Sequence, residues 1–201
     1  MKIKICGLTS VQDAENVNRY MPDLTGIVLF YPKSKRNMET GDAKKILAAL
    51  DPKIRSVAVM VRPTYEQAQQ AQDAGFAYLQ IHGEIEDEIL AKIRVPILKA
   101  YNISDLDRWD RYKDCPKIAG YVLDAAEPGS GKPYDLSVLQ KIPRDGKLFL
   151  LAGGLNAENV ADAIRAVKPD GVDVSSGVEY LSGENGKDPA RIAAFMSAAR
   201  T

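Results

Sequence analysis

The chain has 201 residues with 27 Lys plus Arg and 27 Asp plus Glu, a formal net charge of zero, and 45% of its residues are hydrophobic. A balanced charge supplies no global field for nucleic acid or an acidic membrane, and no apolar stretch approaches the roughly 18 residues of a membrane helix. The two cysteines and single histidine exclude the usual multi-histidine metal cages, and with no apolar leader at the N-terminus the cytoplasm is the expected compartment.

The first strand is predicted over 3–6, where an alternating run ends in Cys6 and meets the turn Gly7-Leu8-Thr9-Ser10. A helix over 11–20 follows, then a strand over 26–30, the basic stretch Lys33-Ser34-Lys35-Arg36 and a helix over 41–50. That basic stretch reads equally as a solvated loop or as an anion contact. A third strand over 56–61 leads to a helix over 65–74, opened by a capping box of Thr64 with Gln67 and closed by Gly75. The fourth unit is a strand over 78–81, His82-Gly83 and a helix over 87–93. The fifth is a strand over 97–100 and a helix over 105–112, where Ser104 with Asp107 forms an acidic version of the box.

Cys115 lies just before the sixth strand, over 120–123. It would sit at the opposite end of a parallel sheet from Cys6, beyond the roughly 7 Å that a disulfide allows between α-carbons, so no bridge is expected. Asp124 ends that strand, a long glycine-containing loop covers 125–133, and a helix is predicted over 136–141. The seventh unit is a strand over Leu148–Ala152, the turn Gly153-Gly154-Leu155-Asn156 and a helix over 157–167 capped by Asn156. The eighth is Gly171–Val174, the turn Ser175-Ser176-Gly177 and a helix over Pro189–Ala199, with Asp188 as cap and proline at the first helical position. Eight evenly spaced βα units in about 200 residues indicate an α/β fold, a single (β/α)8 TIM barrel spanning 1–201 as one domain. An open doubly wound sheet is the alternative.

The C-terminal ends of barrel strands collect chemistry because the βα loops converge there. Cys6 stands at such an end; it reads as a base or nucleophile, or else as a small buried apolar side chain. Glycine turns after strands seven and eight leave backbone N–H groups open to an anion, so Gly153, Gly154, Ser175, Ser176 and Gly177 are the expected phosphate site. The turn after strand three, Val61-Arg62-Pro63-Thr64, has no such glycines, which favours a substrate with one phosphate. Asp124 follows three apolar residues, and partial desolvation there favours the protonated form that a general acid needs. The loop after it has the length of a lid. His82 reads first as a structural hydrogen-bonder and second as a substrate contact. Asp173 alternates with two valines; if these face the helices, it faces the barrel interior and needs partners there.

With these residues assembled, nearly the whole chain resembles the phosphoribosylanthranilate isomerase family of tryptophan biosynthesis. The resemblance is carried by Lys4-Ile5-Cys6-Gly7-Leu8-Thr9, Phe30-Tyr31-Pro32-Lys33-Ser34-Lys35-Arg36 and Leu79-Gln80-Ile81-His82-Gly83. It continues through Leu123-Asp124 with Gly129-Ser130-Gly131-Lys132, Ala152-Gly153-Gly154-Leu155-Asn156, and Asp173-Val174-Ser175-Ser176-Gly177-Val178-Glu179. It implies an Amadori rearrangement of N-(5-phosphoribosyl)anthranilate with Cys6 as general base and Asp124 as general acid. It further implies that Arg36 meets the anthranilate carboxylate and that no cofactor or metal takes part. Lys4, two residues before Cys6, is a candidate cation beside the thiol. The expected partner is a small phosphoribosyl substrate, with no nucleic acid, membrane or obligate protein partner. Three stretches depart from the family pattern: Ala125-Ala126-Glu127-Pro128, Arg62, and the segment 180–187. Another sugar-phosphate isomerase, such as a histidine-pathway relative or one with dual specificity, and a non-catalytic phosphosugar-binding barrel are the alternatives.

Overall fold

A computed structural model describes residues 1–103, 109–125 and 145–200. Among the described residues, eight parallel strands form the barrel: β1 Lys2–Cys6, β2 Leu24–Leu29, β3 Arg55–Val61, β4 Tyr78–His82, β5 Ile97–Asn102, β6 Ile118–Asp124, β7 Leu148–Ala152 and β8 Gly171–Val174. Each pairs with the next, and β1 pairs with both β2 and β8, which closes the sheet. A two-residue strand, Asn37–Met38, adds to the outer end of β2 and was not expected from the sequence. The helices are α1 Val11–Asn18, α2 Thr40–Ala49, α3 Tyr65–Asp73, α4 Asp87–Lys92, α5 Val160–Val167 and α6 Pro189–Ala199. No helix among the described residues is long and apolar enough to cross a membrane.

Local chemistry sets the helix ends. The Ser10 hydroxyl accepts from Asp13 N at 3.0 Å and starts α1. The Thr64–Gln67 capping box starts α3, and Gly75, at φ 96°, follows its end. The Asp188 carboxylate accepts from Ala190 N and Arg191 N ahead of Pro189. One expectation is corrected: Asn156 does not cap α5. Its carboxamide oxygen accepts from Glu158 N (2.8 Å) and Asn159 N (3.1 Å), stabilising a separate turn, and the helix begins only at Val160. An Asn side chain offers the backbone this local alternative to a helical turn. The helix predicted over 105–112 has its first four residues outside the described ones, and 109–111 form a 3₁₀ turn. Ser104 with Asp107, the helix predicted over 136–141 and nearly all of the long loop after Asp124, from Ala126, lie outside the described residues.

Alternation along each strand divides the apolar residues into two layers. Val172 and Val174 face the helices in the larger core with Ile3, Ile5, Ile27 and Leu151. The smaller inner cluster holds Leu24, Val57, Leu98, Val122, Leu150 and Ala152. A fully buried Leu such as Leu98 or Leu150 stabilises the fold by about 1.5–3 kcal/mol. Bulk concentrates toward the N-terminal end of the barrel. Its other end is lined by smaller apolar groups, Val28, Val59, Val122 and Ala152, which leave room for a cleft.

Candidate active site

A cleft of about 340 Å³ opens at the C-terminal ends of the strands. Its wall brings together Cys6, Arg36, His82, Asp124, Gly153, Gly154, Asp173, Ser175 and Ser176, so nine of the ten predicted site residues meet in one place. The tenth, Gly177, continues the same turn. A wider groove of about 440 Å³ beside Arg62, Glu84 and Arg111 gathers none of them, and Arg111 is paired there with Glu84. Arg62 itself is exposed outside the cleft, its stem lying over Gly83.

Cys6 is the last residue of β1, points inward and is 9% exposed. Its neighbour in register is Gly26. A Cβ at position 26 would lie 2.7 Å from the Cys6 sulfur and 3.1 Å from Lys4 Nζ, so only glycine leaves room for this pair. Lys4 is fully buried and its ammonium is 2.9 Å from Asp173 Oδ2. The two face each other across the β1–β8 register. Burial alone would pull the Lys4 ammonium down, but Asp173 and the Cys6 thiol, which it also hydrogen-bonds, outweigh it and the net is upward. Burial pushes the Asp173 carboxyl up; Lys4 opposes this, and neighbouring Asp124 adds to it. Breaking a buried ion pair leaves an uncompensated charge, so removing either partner should be costly. Asp173 Oδ1 has no hydrogen-bond partner.

Asp124 ends β6 at the mouth, in register with Ala152. His82 ends β4, and its Nε2 lies 3.1 Å from Gln80 Nε2. The turn after β7 runs through Gly153 and Gly154 at φ 100° and 63°, shapes that favour glycine. The Ser175 hydroxyl, at the end of β8, donates to Cys6 O at 3.0 Å and so ties the turn after β8 to the strand of the cysteine.

Arg36 reaches the cleft from the loop after β2, its stem crossing Gly7, where a side chain would collide with it. Its Nε donates to Glu179 Oε1 at 2.5 Å, and Lys35 Nζ donates to Glu179 Oε2 at 2.9 Å. Lys187 is fully buried, with Nζ 3.2 Å from Glu179 Oε1 and 3.1 Å from Ser175 O. It is seated by its own backbone, for Lys187 N donates to Asp13 and Lys187 O accepts from Asn16. Burial pulls the Lys187 ammonium down; Glu179 and Cys6 oppose this without cancelling it, and Arg36 adds to it. Among the described residues no three His, Cys, Asp or Glu side chains gather as a metal site.

The sequence profile of the family described as N-(5'-phosphoribosyl)anthranilate (PRA) isomerase matches residues 3–198. The chain belongs to this family. A PRA isomerase from Geotalea uraniireducens is 35% identical, over 99% of this chain and 98% of its own length. The crystal structure of phosphoribosyl anthranilate isomerase from Thermotoga maritima superposes with a TM-score of 0.86 at 36% identity, covering 100% of this chain and 98% of that one. A further PRA isomerase structure, in complex with reduced 1-(o-carboxyphenylamino)-1-deoxyribulose 5-phosphate, gives 0.83 at 34% identity with coverage of 100% and 98%.

Within this PRA isomerase fold, three residues of the site were not singled out from the sequence. Gln80 was findable, because it lies two residues before His82 on the same strand face. Glu179 and Lys187 carry no periodic signal; they meet through an antiparallel bridge that ends the segment 180–187. Burial alone would raise the Glu179 carboxyl, but bonds from Arg36 and Lys35 and the charge of Lys187 outweigh it and hold it at about 2. A carboxyl so depressed stabilises the folded state above its ordinary value of 4.5, and that contribution is lost as pH falls from there toward about 2. Glu179→Gln should therefore lose on the order of 1–2 kcal/mol at neutral pH, after discounting for solvent screening, and about 2–8 °C in Tm. Thermal unfolding from pH 7 to 2 checks this: the gap to the unmodified protein should narrow below pH 4.5, and a constant gap would refute it.

Proposed function

We propose that this chain catalyses the Amadori rearrangement of N-(5'-phosphoribosyl)anthranilate to 1-(2-carboxyphenylamino)-1-deoxyribulose 5-phosphate, the whole chain acting as one barrel domain. The observation that carries the reading is that Cys6 and Asp124, from the first and sixth strands, line one cleft. Asp124 donates a proton to the ribose ring oxygen, the bond from that oxygen to C1 breaks, and a C1–nitrogen Schiff base forms. Cys6 as thiolate removes the C2 proton, and the electron pair moves to make the enolamine. The enol hydroxyl then gives up its proton, C1 gains one, and the ketone results. Exchange with solvent restores a protonated Asp124 and an ionised Cys6. Lys4, paired on its far side with Asp173, places a buried cation on the same inner strand face as the base.

The phosphate lies against the backbone of Gly153-Gly154 and Ser175-Ser176-Gly177, with the Ser175 hydroxyl oxygen still able to accept. Arg36 takes the anthranilate carboxylate with the guanidinium edge that Glu179 leaves open, while Lys35 and Lys187 keep the neighbourhood positive. His82 and Asp173 contact the sugar. The relative in complex with reduced 1-(o-carboxyphenylamino)-1-deoxyribulose 5-phosphate supports a small phosphorylated ligand. The direct test is the fluorescence decrease of N-(5'-phosphoribosyl)anthranilate on adding the protein; no loss of substrate would overturn the reading.

Arg36→Ala should act on binding more than on chemistry. A charge-assisted pair of this kind contributes about 1.5–3 kcal/mol, so KM should rise roughly ten- to a hundredfold with a smaller change in kcat. Steady-state kinetics decide it, and an unchanged KM removes Arg36 from the site.

A further inference from the structure

We propose that Gln80 is a substrate-orienting residue whose amide oxygen accepts a hydrogen bond from a sugar hydroxyl of the substrate. The inference rests on the reaction proposed above. Gln80 is the central residue of β4, faces the barrel interior, is 3% exposed and lines the cleft. Its Nε2 is engaged with His82 at 3.1 Å, while its Oε1 is buried with no hydrogen-bond partner. Buried polar groups in folded proteins nearly always have a partner, because leaving one unmade carries the full desolvation penalty. Four buried side-chain atoms among the described residues lack one: Thr25 Oγ1, Gln80 Oε1, Tyr101 Oη and Asp173 Oδ1. Only those of Gln80 and Asp173 belong to residues that line the cleft. Tyr101 lies in the outer core, and Thr25 alternates with inward-facing Leu24 and Gly26.

Both atoms are acceptors, and that selects what they can bind. The two ends of the substrate, a phosphate and a carboxylate, are anionic and offer acceptors themselves. Donors occur only in its middle: the ribose hydroxyls and the amine N–H. β4 and β8 lie four strands apart in the eight-stranded ring, on opposite sides. Gln80 and Asp173 can therefore hold the sugar from two sides and keep C2 turned toward Cys6. The contact between Gln80 and His82 sets which end of the amide faces the sugar, so His82 positions Gln80.

Gln80→Met keeps the side chain's length and removes both amide groups. Binding of ribose 5-phosphate and of inorganic phosphate is measured by calorimetry, beside turnover. The expected result is ribose 5-phosphate binding weakened about tenfold or more, inorganic phosphate within about twofold, and kcat/KM for the proposed substrate lowered roughly ten- to a hundredfold. A merely structural role would weaken both ligands together, and that outcome, or unchanged ribose 5-phosphate binding, overturns the proposal. Gln80→Leu serves in the same way if the Met variant is not recovered folded. Failure of the unmodified protein to turn over its substrate overturns the reaction instead, and the ratio of the two binding constants still decides the sugar contact.

Discussion

Cys6→Ala should lower kcat by at least about 10²–10⁴, the usual span for losing a general base, with KM little changed. The substitution removes only the sulfur. Lys4 keeps Asp173 at 2.9 Å, so the buried ion pair survives. The Ser175 hydroxyl bonds the Cys6 carbonyl rather than its side chain, so the tie to the turn after β8 survives as well. Binding of substrate and phosphate should therefore persist while turnover is lost, a split that misfolding would not produce. Cys6→Ser should fail too, because a serine hydroxyl is far too weakly acidic to stand ionised as the base. Steady-state kinetics on both variants decide the matter, and a near-normal rate for Cys6→Ala would strike Cys6 from the mechanism and weaken the isomerase reading with it.

Asp124→Asn is the matching test at the other side of the cleft. It keeps the shape of the residue and takes away the proton delivered to the ring oxygen. kcat should again fall by at least about 10²–10⁴, with KM moving little. The amide adds no charge beside Asp173, so the Lys4–Asp173 pair at 2.9 Å should be no weaker. A variant inactive in turnover yet unchanged in thermal unfolding is the expected result. Retained activity would shift the acid role to another group.

Much of the site was legible because sequence motifs fall where strands end. Cys6 ends an alternating run and Asp124 an apolar one, His82 follows the fourth strand's run, and the glycine and serine turns follow the last two; the barrel brings these positions to one rim. The inward direction of Asp173 follows from its two valine neighbours. Asn156 shows the limit of local reading, since capping a helix and capping a turn use the same oxygen and the same short spacing. Gln80 was visible in the strand pattern, but its significance was not: an unpaired amide oxygen is a property of its surroundings.

The sequence by itself determined the eight barrel strands and the rim residues, because alternation and turn glycines act over a few neighbouring residues, and its motifs resembled those of the family. Only the tertiary structure decided the charge pairings. Lys4 with Asp173 spans 169 residues of chain, Arg36 with Glu179 spans 143, and Lys187 N with Asp13 spans 174. Closure of β1 against β8 brings the chain's two ends together. No periodicity records which carboxylate a buried lysine will meet. That depends on strand register and on the exclusion of water from the barrel, where an unpaired charge is costly enough to select one partner.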